Sequence, residues 1–141
     1  MPGVIDGSRQ LALAYAEEQS RFDLEDVVTH AKVDGDGYVI NGTKCMVQSA
    51  ATAHQIIVSA RTSGGQTDKN GVSLFVVDAD AEGVEITGYP TVDGLQAAEV
   101  KLTNVAVPAD RLIGELDQGY AILEAVAMDG ILAVSAEAVG A

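Results

Sequence analysis

The sequence has no tryptophan, one cysteine, three prolines and only eight basic residues among 141. Each scarcity excludes something. With Cys45 alone there is no internal disulfide and no thiol spacing that could hold a metal. A lone thiol also suits a reducing cytoplasm. Eight Lys and Arg against 21 Asp and Glu leave a net charge of −13. Nucleic acid is thereby excluded as a partner, because phosphates could not be neutralised in number. An anionic cofactor is not excluded, since a few local donors can hold one. Aromatic residues make up only 4%, so a core must come from Val, Ile, Leu and Ala. No long apolar run is unbroken: residues 120–141 carry Glu124, Asp129 and Glu137, which argues against a membrane span. The N-terminus has no basic stretch leading into an apolar one, so no signal peptide is expected.

What remains is 48% hydrophobic and patterned for strands. Short apolar runs at 11–17, 27–33, 38–47, 55–61, 72–77, 84–89 and 99–107 are bounded by Gly, Asp and Asn. The Asp34-Gly35-Asp36-Gly37 turn joins the second run to the third, and Asn41-Gly42 interrupts the third. Residues 72–77 are apolar on both parities apart from Ser73, which predicts a strand buried on both faces. Residues 62–70 hold no apolar side chain and predict an exposed, mobile loop. Residues 1–10 read as a loop or the remnant of something longer. Seven strands without intervening helices point to an antiparallel β-barrel or sandwich. From Asp117, a plausible N-cap, the pattern turns helical. That helix is apolar nearly all round: Ile122, Leu123, Val126, Ile131, Val134 and Val139 do not fit one stripe. The β part can cover only one side of it, so it needs a partner, or the chain is a fragment.

Residues that could carry chemistry are few. His30 and His54 lie on different strands with no nucleophile pattern and read as structural or surface histidines. Glu17 and Glu18 are adjacent on a strand, so they face opposite sides and form no acid–base pair. Asp23, Glu25 and Asp26 read as a solvated acidic loop, and the paired glycines as turns rather than phosphate loops. Met46 and Val47, taken alone, are ordinary core residues.

Four segments change that reading. Glu17 and Asp23 match two positions of a Glu-Pro…Gly-Ser-Asp segment. Residues 34–44 (Asp-Gly-Asp-Gly-Tyr-Val-Ile-Asn-Gly-Thr-Lys) match a central hairpin, and 71–77 match the next core strand. Residues 107–114 match a Val-Pro…Leu-Leu-Gly exit. In order and at this spacing they resemble the middle β-domain of the acyl-CoA dehydrogenases. Residues 11–23 are most similar to the small-subunit type of the pimeloyl-CoA dehydrogenase-like enzymes. The resemblance implies that 11–114 form this middle domain and 115–141 the first helix of a C-terminal helical domain, within an α–β–α enzyme.

It also implies FAD as cofactor. Leu13, Tyr15 and Ala16 would run along one edge of the flavin ring. Met46, Val47 and Gln48 would take positions usually held by an aromatic, an aliphatic and a Thr. Ala16 and Glu18 stand where Thr and Pro are usual, and Phe22 would narrow the acyl pocket. Oxidation of an acyl-CoA to the trans-2-enoyl-CoA, an electron-transfer acceptor and a homo- or hetero-oligomer follow as expectations. The family's catalytic Glu is not matched. At its position in the helix this sequence has Gly130, with Ile131 in place of a substrate-contacting Arg and Asp129 close by. No catalytic residue is therefore assigned, and the chain alone is expected to be inactive. Two other readings remain: a non-catalytic subunit or assembly module, and an unrelated acidic β-sandwich binding module.

Overall fold

Alternation of apolar and polar side chains builds most of the molecule from strands. The computed structural model, which describes residues 2–141, is mainly β with a long C-terminal helix. After a short helix α1 (Pro2–Ile5) come β1 (Leu11–Ala14), β2 (His30–Asp34), β3 (Gly37–Gln48) and β4 (Gln55–Arg61). Then follow β5 (Val72–Asp78), β6 (Val84–Pro90), β7 (Gln96–Pro108), β8 (Leu112–Ile113) and α2 (Gly119–Gly140). Hydrogen-bonded neighbours run β6-β7-β3-β2-β4-β5-β8, and this path stays open at both ends rather than closing into a barrel. Most pairs are antiparallel. The exceptions are on one edge of β4, where β1 lies parallel from Leu11↔Gln55 to Ala14↔Val58 and β2 lies parallel further on, at His30↔Arg61.

The sheet encloses one main core around Ile40, Ile56, Phe75, Val100 and Val105, all fully buried. Tyr38 packs on Phe75 with ring centroids 4.9 Å apart, in a tilted arrangement. β5 is buried on both faces, as its double-parity apolar pattern predicts. The first turns of α2 cover its outer side, where Leu123 joins Val27, Val72 and Leu74 in a second cluster. A side chain at Gly119 would come within 3.0 Å of Leu74 and of the Ser73 backbone. Only glycine lets the helix start that close to β5.

Several element ends depart from the sequence reading, where long-range hydrogen bonds take over backbone groups. β1 ends at Ala14 instead of 17, since Ala16 C=O accepts from Cys45 N–H (2.9 Å) and the chain then turns through Ser20 and Asp23. β2 starts at His30 instead of 27, because the Val28 and Thr29 N–H groups donate to the Glu17 carboxylate. Residues 63–70 are exposed, but the segment is held. The Arg61 guanidinium donates to the carbonyls of Gln66, Asp68 and Asn70, and also to Glu25 across the gap. Residues 2–5, read as loop, form a single helical turn. Asp117 is not the cap of α2. It sits at φ 66°, accepts from Thr62 Oγ1 (2.6 Å) and donates its N–H to Ser73 Oγ (2.8 Å), leaving Gln118 at the N-cap without a side-chain bond. Along α2 only Gly119 and Leu123 are buried. Val126, Ile131, Val134 and Val139 expose 50%, 59%, 65% and 90% of their surface, so the β part covers one side of the helix and leaves the rest of its apolar surface bare.

Candidate functional site

Lys44 lies on the inward side of β3 with no exposed side-chain surface. A lysine there needs an anion and acceptors for its protons. Its Nζ donates to Glu17 Oε1 at 2.6 Å, Ser59 Oγ at 2.9 Å and Tyr15 O at 3.4 Å. Glu17, 4% exposed, also accepts from the N–H groups of Val28 (2.9 Å) and Thr29 (3.1 Å) and from Gln19 Nε2 (2.9 Å). Burial pushes the Lys44 ammonium down to about 8 despite the neighbouring carboxylate. For Glu17, burial works upward, but Lys44 and the hydrogen bonds outweigh it and hold the carboxyl below its ordinary value. Two residues before Lys44, Gly42 lies where any side chain would collide with Thr29. The Thr29 hydroxyl is buried without a partner among the described residues.

This pair fixes the segment after β1 against the bulged part of β3. The Ala16–Cys45 bond puts residues 15–16 alongside 45–46. The register of β3 on β7 slips between Lys44 and Val47, and Met46 sits at φ 53° in that irregularity. Its side chain is 56% exposed, and Tyr15 is 43% exposed. Gln48 is exposed, Leu13 and Ala16 are half-buried, and Val47 points into the core. Tyr89 on β6, which sequence reasoning missed, reaches this point. Its hydroxyl accepts the Met46 N–H at 3.2 Å and donates to Met46 Sδ at 3.3 Å. It can cross β7 because the residue between them is Ala97, paired to Tyr89 on one side and Gln48 on the other. The small Ala97-Ala98 pair was the available signal.

The expected site residues fall into separate hollows. Leu13, Tyr15 and Phe22 line an apolar cleft of about 630 Å³ against Leu123, Gly130 and Ile131 of α2. Met46 and Gln48 line another of about 400 Å³ with Thr91, Asp93 and Leu95. Between them, Glu17, Glu18, Cys45, Tyr89 and Glu99 border a polar hollow of about 440 Å³. The polar residues of the apolar cleft are Tyr15, Arg21 and Ser135, so no carboxylate faces it, and Asp129 does not line it. His54 is structural: its Nδ1 accepts the Gln10 N–H at 3.1 Å. Among the described residues no helix is long and apolar enough to cross a membrane.

This mainly antiparallel sheet followed by a long helix is the architecture the resemblance implies, an acyl-CoA dehydrogenase middle domain. The model of that family, "Acyl-CoA dehydrogenase, middle domain", matches residues 12–105, well over half of the chain, and the chain belongs to this family. It is 33% identical over 141 residues to a 3-(aryl)acrylate reductase of Clostridium sporogenes, covering 97% of this chain and 37% of that protein. It is 33% identical over 123 residues to a cyclohexane-1-carbonyl-CoA dehydrogenase of Geobacter metallireducens, covering 85% and 32%. Among solved structures, a chain of the ChsE4-ChsE5 complex from Mycobacterium tuberculosis superposes with a TM-score of 0.82 at 28% identity, covering 87% of this chain and 32% of that one. The chain spans about a third of the length of these curated relatives.

The family implies FAD, and the residues present fit part of it. A flavin ring needs cover for a flat apolar face and donors for a polar edge. An exposed thioether held at a fixed backbone point, with an exposed amide at Gln48 beside it, matches that demand. The diphosphate does not fit the same hollow, whose lining includes Asp93 and no Lys or Arg.

Proposed function

We propose that this chain supplies the ring-facing wall and part of the acyl cleft of an FAD-dependent acyl-CoA dehydrogenase. The observation that carries the reading is the side-by-side placement of Tyr15–Ala16 and Cys45–Met46, with exposed Tyr15 lining the apolar cleft and exposed Met46 the hollow beyond it. When bound, the flavin supplies the acceptor for a hydride from the acyl β-carbon. Met46 covers one ring face through its polarisable sulfur. Gln48 donates its amide to the polar edge, and Ala16 and Val47 contribute through backbone alone. The alkyl part of an acyl-CoA lies along Leu13, Tyr15 and Leu123, with Phe22 narrowing the space. The α-proton needs a carboxylate from outside these residues, because Gly130 and Ile131 can neither take a proton nor bind an anion.

In this reading residues 11–114 are the family's β-domain and 115–141 open a helical domain, within an oligomer in a reducing cytoplasm that passes electrons to a separate acceptor. The ChsE4-ChsE5 relative is itself a complex, which supports assembly. The relatives' names include both a reductase and a dehydrogenase. A second reading, a non-catalytic subunit retained for assembly, is favoured by the absence of a carboxylate in the cleft. The unrelated-module reading is set aside by the family match.

The test is to titrate FAD into the purified protein and follow flavin fluorescence together with NMR signals of Tyr15 and Met46. Saturable but weak binding that perturbs both residues is expected, with no acceptor reduction when acyl-CoA is added. FAD that leaves both signals unmoved would sink the reading. Sustained turnover by this chain alone would overturn the claim that the base lies elsewhere.

A further inference from the structure

Met46 combines two features that need an external constraint. Its backbone lies in the left-handed region, and its side chain has several rotatable bonds and more than half its surface exposed. An unheld thioether in that position would sample many rotamers. It is held by one group. The Tyr89 hydroxyl uses its acceptor on the Met46 N–H (3.2 Å) and its donor on Met46 Sδ (3.3 Å), so backbone and side-chain end are tied to one atom. Tyr89 comes from β6, the edge strand, and spans β7 over Ala97 to make this contact. A bulge needs only its N–H satisfied, and the bond to sulfur goes further by fixing where the thioether stands.

We propose that Tyr89 is a positioning residue for the ring-facing wall. It presets the Met46 thioether against the flavin face, so that the cofactor does not have to order it on binding. This rests on the flavin reading above, and the experiment separates the two. Methionine sulfur is oxidised by dilute hydrogen peroxide to the sulfoxide, the peroxide losing one oxygen to become water. Peptide mass spectrometry then compares Met46 with Met128, which is 60% exposed and serves as an internal reference.

Tyr89→Phe keeps the ring and removes the hydroxyl. In that variant Met46 should oxidise several times faster relative to Met128. FAD affinity should fall by roughly three- to tenfold, the range expected for one lost hydrogen bond, with an altered flavin absorption band. In the unaltered protein, saturating FAD should slow Met46 oxidation and leave Met128 unaffected. Met46→Leu is the second variant: it keeps the N–H and removes the sulfur. On that background Tyr89→Phe should change FAD affinity little, because the coupled partner is gone. If FAD does not protect Met46, the flavin reading fails whatever Tyr89 does. If FAD protects Met46 but Tyr89→Phe leaves affinity and spectrum unchanged, the positioning role is overturned and the flavin reading stands. Persistence of the Tyr89 effect in the Met46→Leu background would also overturn it, by making the backbone bond sufficient.

Discussion

Burying an ammonium without a counter-charge is among the costliest things a fold can do, so Lys44 defines the residue scale here. Its partner Glu17 is doubly committed, to the lysine and to two backbone donors. Replacing one member strands the other. Lys44→Met should cost about 3–5 kcal/mol, the range for an orphaned buried charge. The pair also sets a pH dependence. Glu17 is held below its unfolded value of 4.5, so its contribution is complete above that pH and is lost as pH falls through the lowered folded value. Lys44 acts in the same direction, in a higher pH window. Between its folded value of about 8 and its unfolded 10.5 the unfolded chain holds more protons, so through this group stability rises with pH. Denaturant midpoints across pH on the native sequence and Lys44→Met check both the acid and the alkaline rise. The variant should lack the alkaline rise, and a rise of equal size in both would refute the assignment.

At the scale of elements, the same long-range logic governs where strands and loops end. Arg61 closes β4 and donates to four carbonyls of two separate segments. Arg61→Lys offers a single ammonium in place of the planar fork. Stability should fall by about 2 kcal/mol, and amide exchange across residues 62–70 should accelerate while β5 keeps its protection. An exchange pattern identical to that of the native sequence would contradict this. Existence and order of the strands were legible, because alternation and turn glycines are local signals and the family segments lay in register. Strand ends were not, because Glu17 takes the N–H groups that would have extended β2. The partners lie 11 and 12 residues away along the chain. The candidate site divides the same way. Met46 and Gln48 were singled out by the resemblance alone, since taken by itself Met46 reads as a core residue. The Glu17–Lys44 and Tyr89–Met46 contacts span 27 and 43 residues and leave no periodicity to read. An inward-parity lysine on β3 was the one local hint that a buried acid must exist.

On the scale of the whole molecule the unresolved account is the outer half of α2. The net charge of −13 opposes association, but α2 itself carries only Glu124, Asp129 and Glu137 among its apolar residues. Monomers seldom expose contiguous apolar patches beyond a few hundred Å² (roughly 300–600). Met128, Ile131, Leu132 and Val134 are each 59% exposed or more and lie on adjoining turns. Hydrophobic attraction there is short-ranged and insensitive to salt, whereas repulsion between the acidic surfaces decays over a Debye length of about 8–10 Å near physiological ionic strength. This polypeptide should therefore self-associate in a concentration-dependent way, and more strongly as salt is raised. Substituting Ile131→Lys with Val134→Lys places charges three residues apart on the exposed side without touching β5. Sedimentation velocity should then give a monomer at concentrations where the native sequence associates, with the far-UV strand signal unchanged. A native sequence that sediments as a dilution-independent monomer at both low and high salt would show that this side of α2 needs no cover.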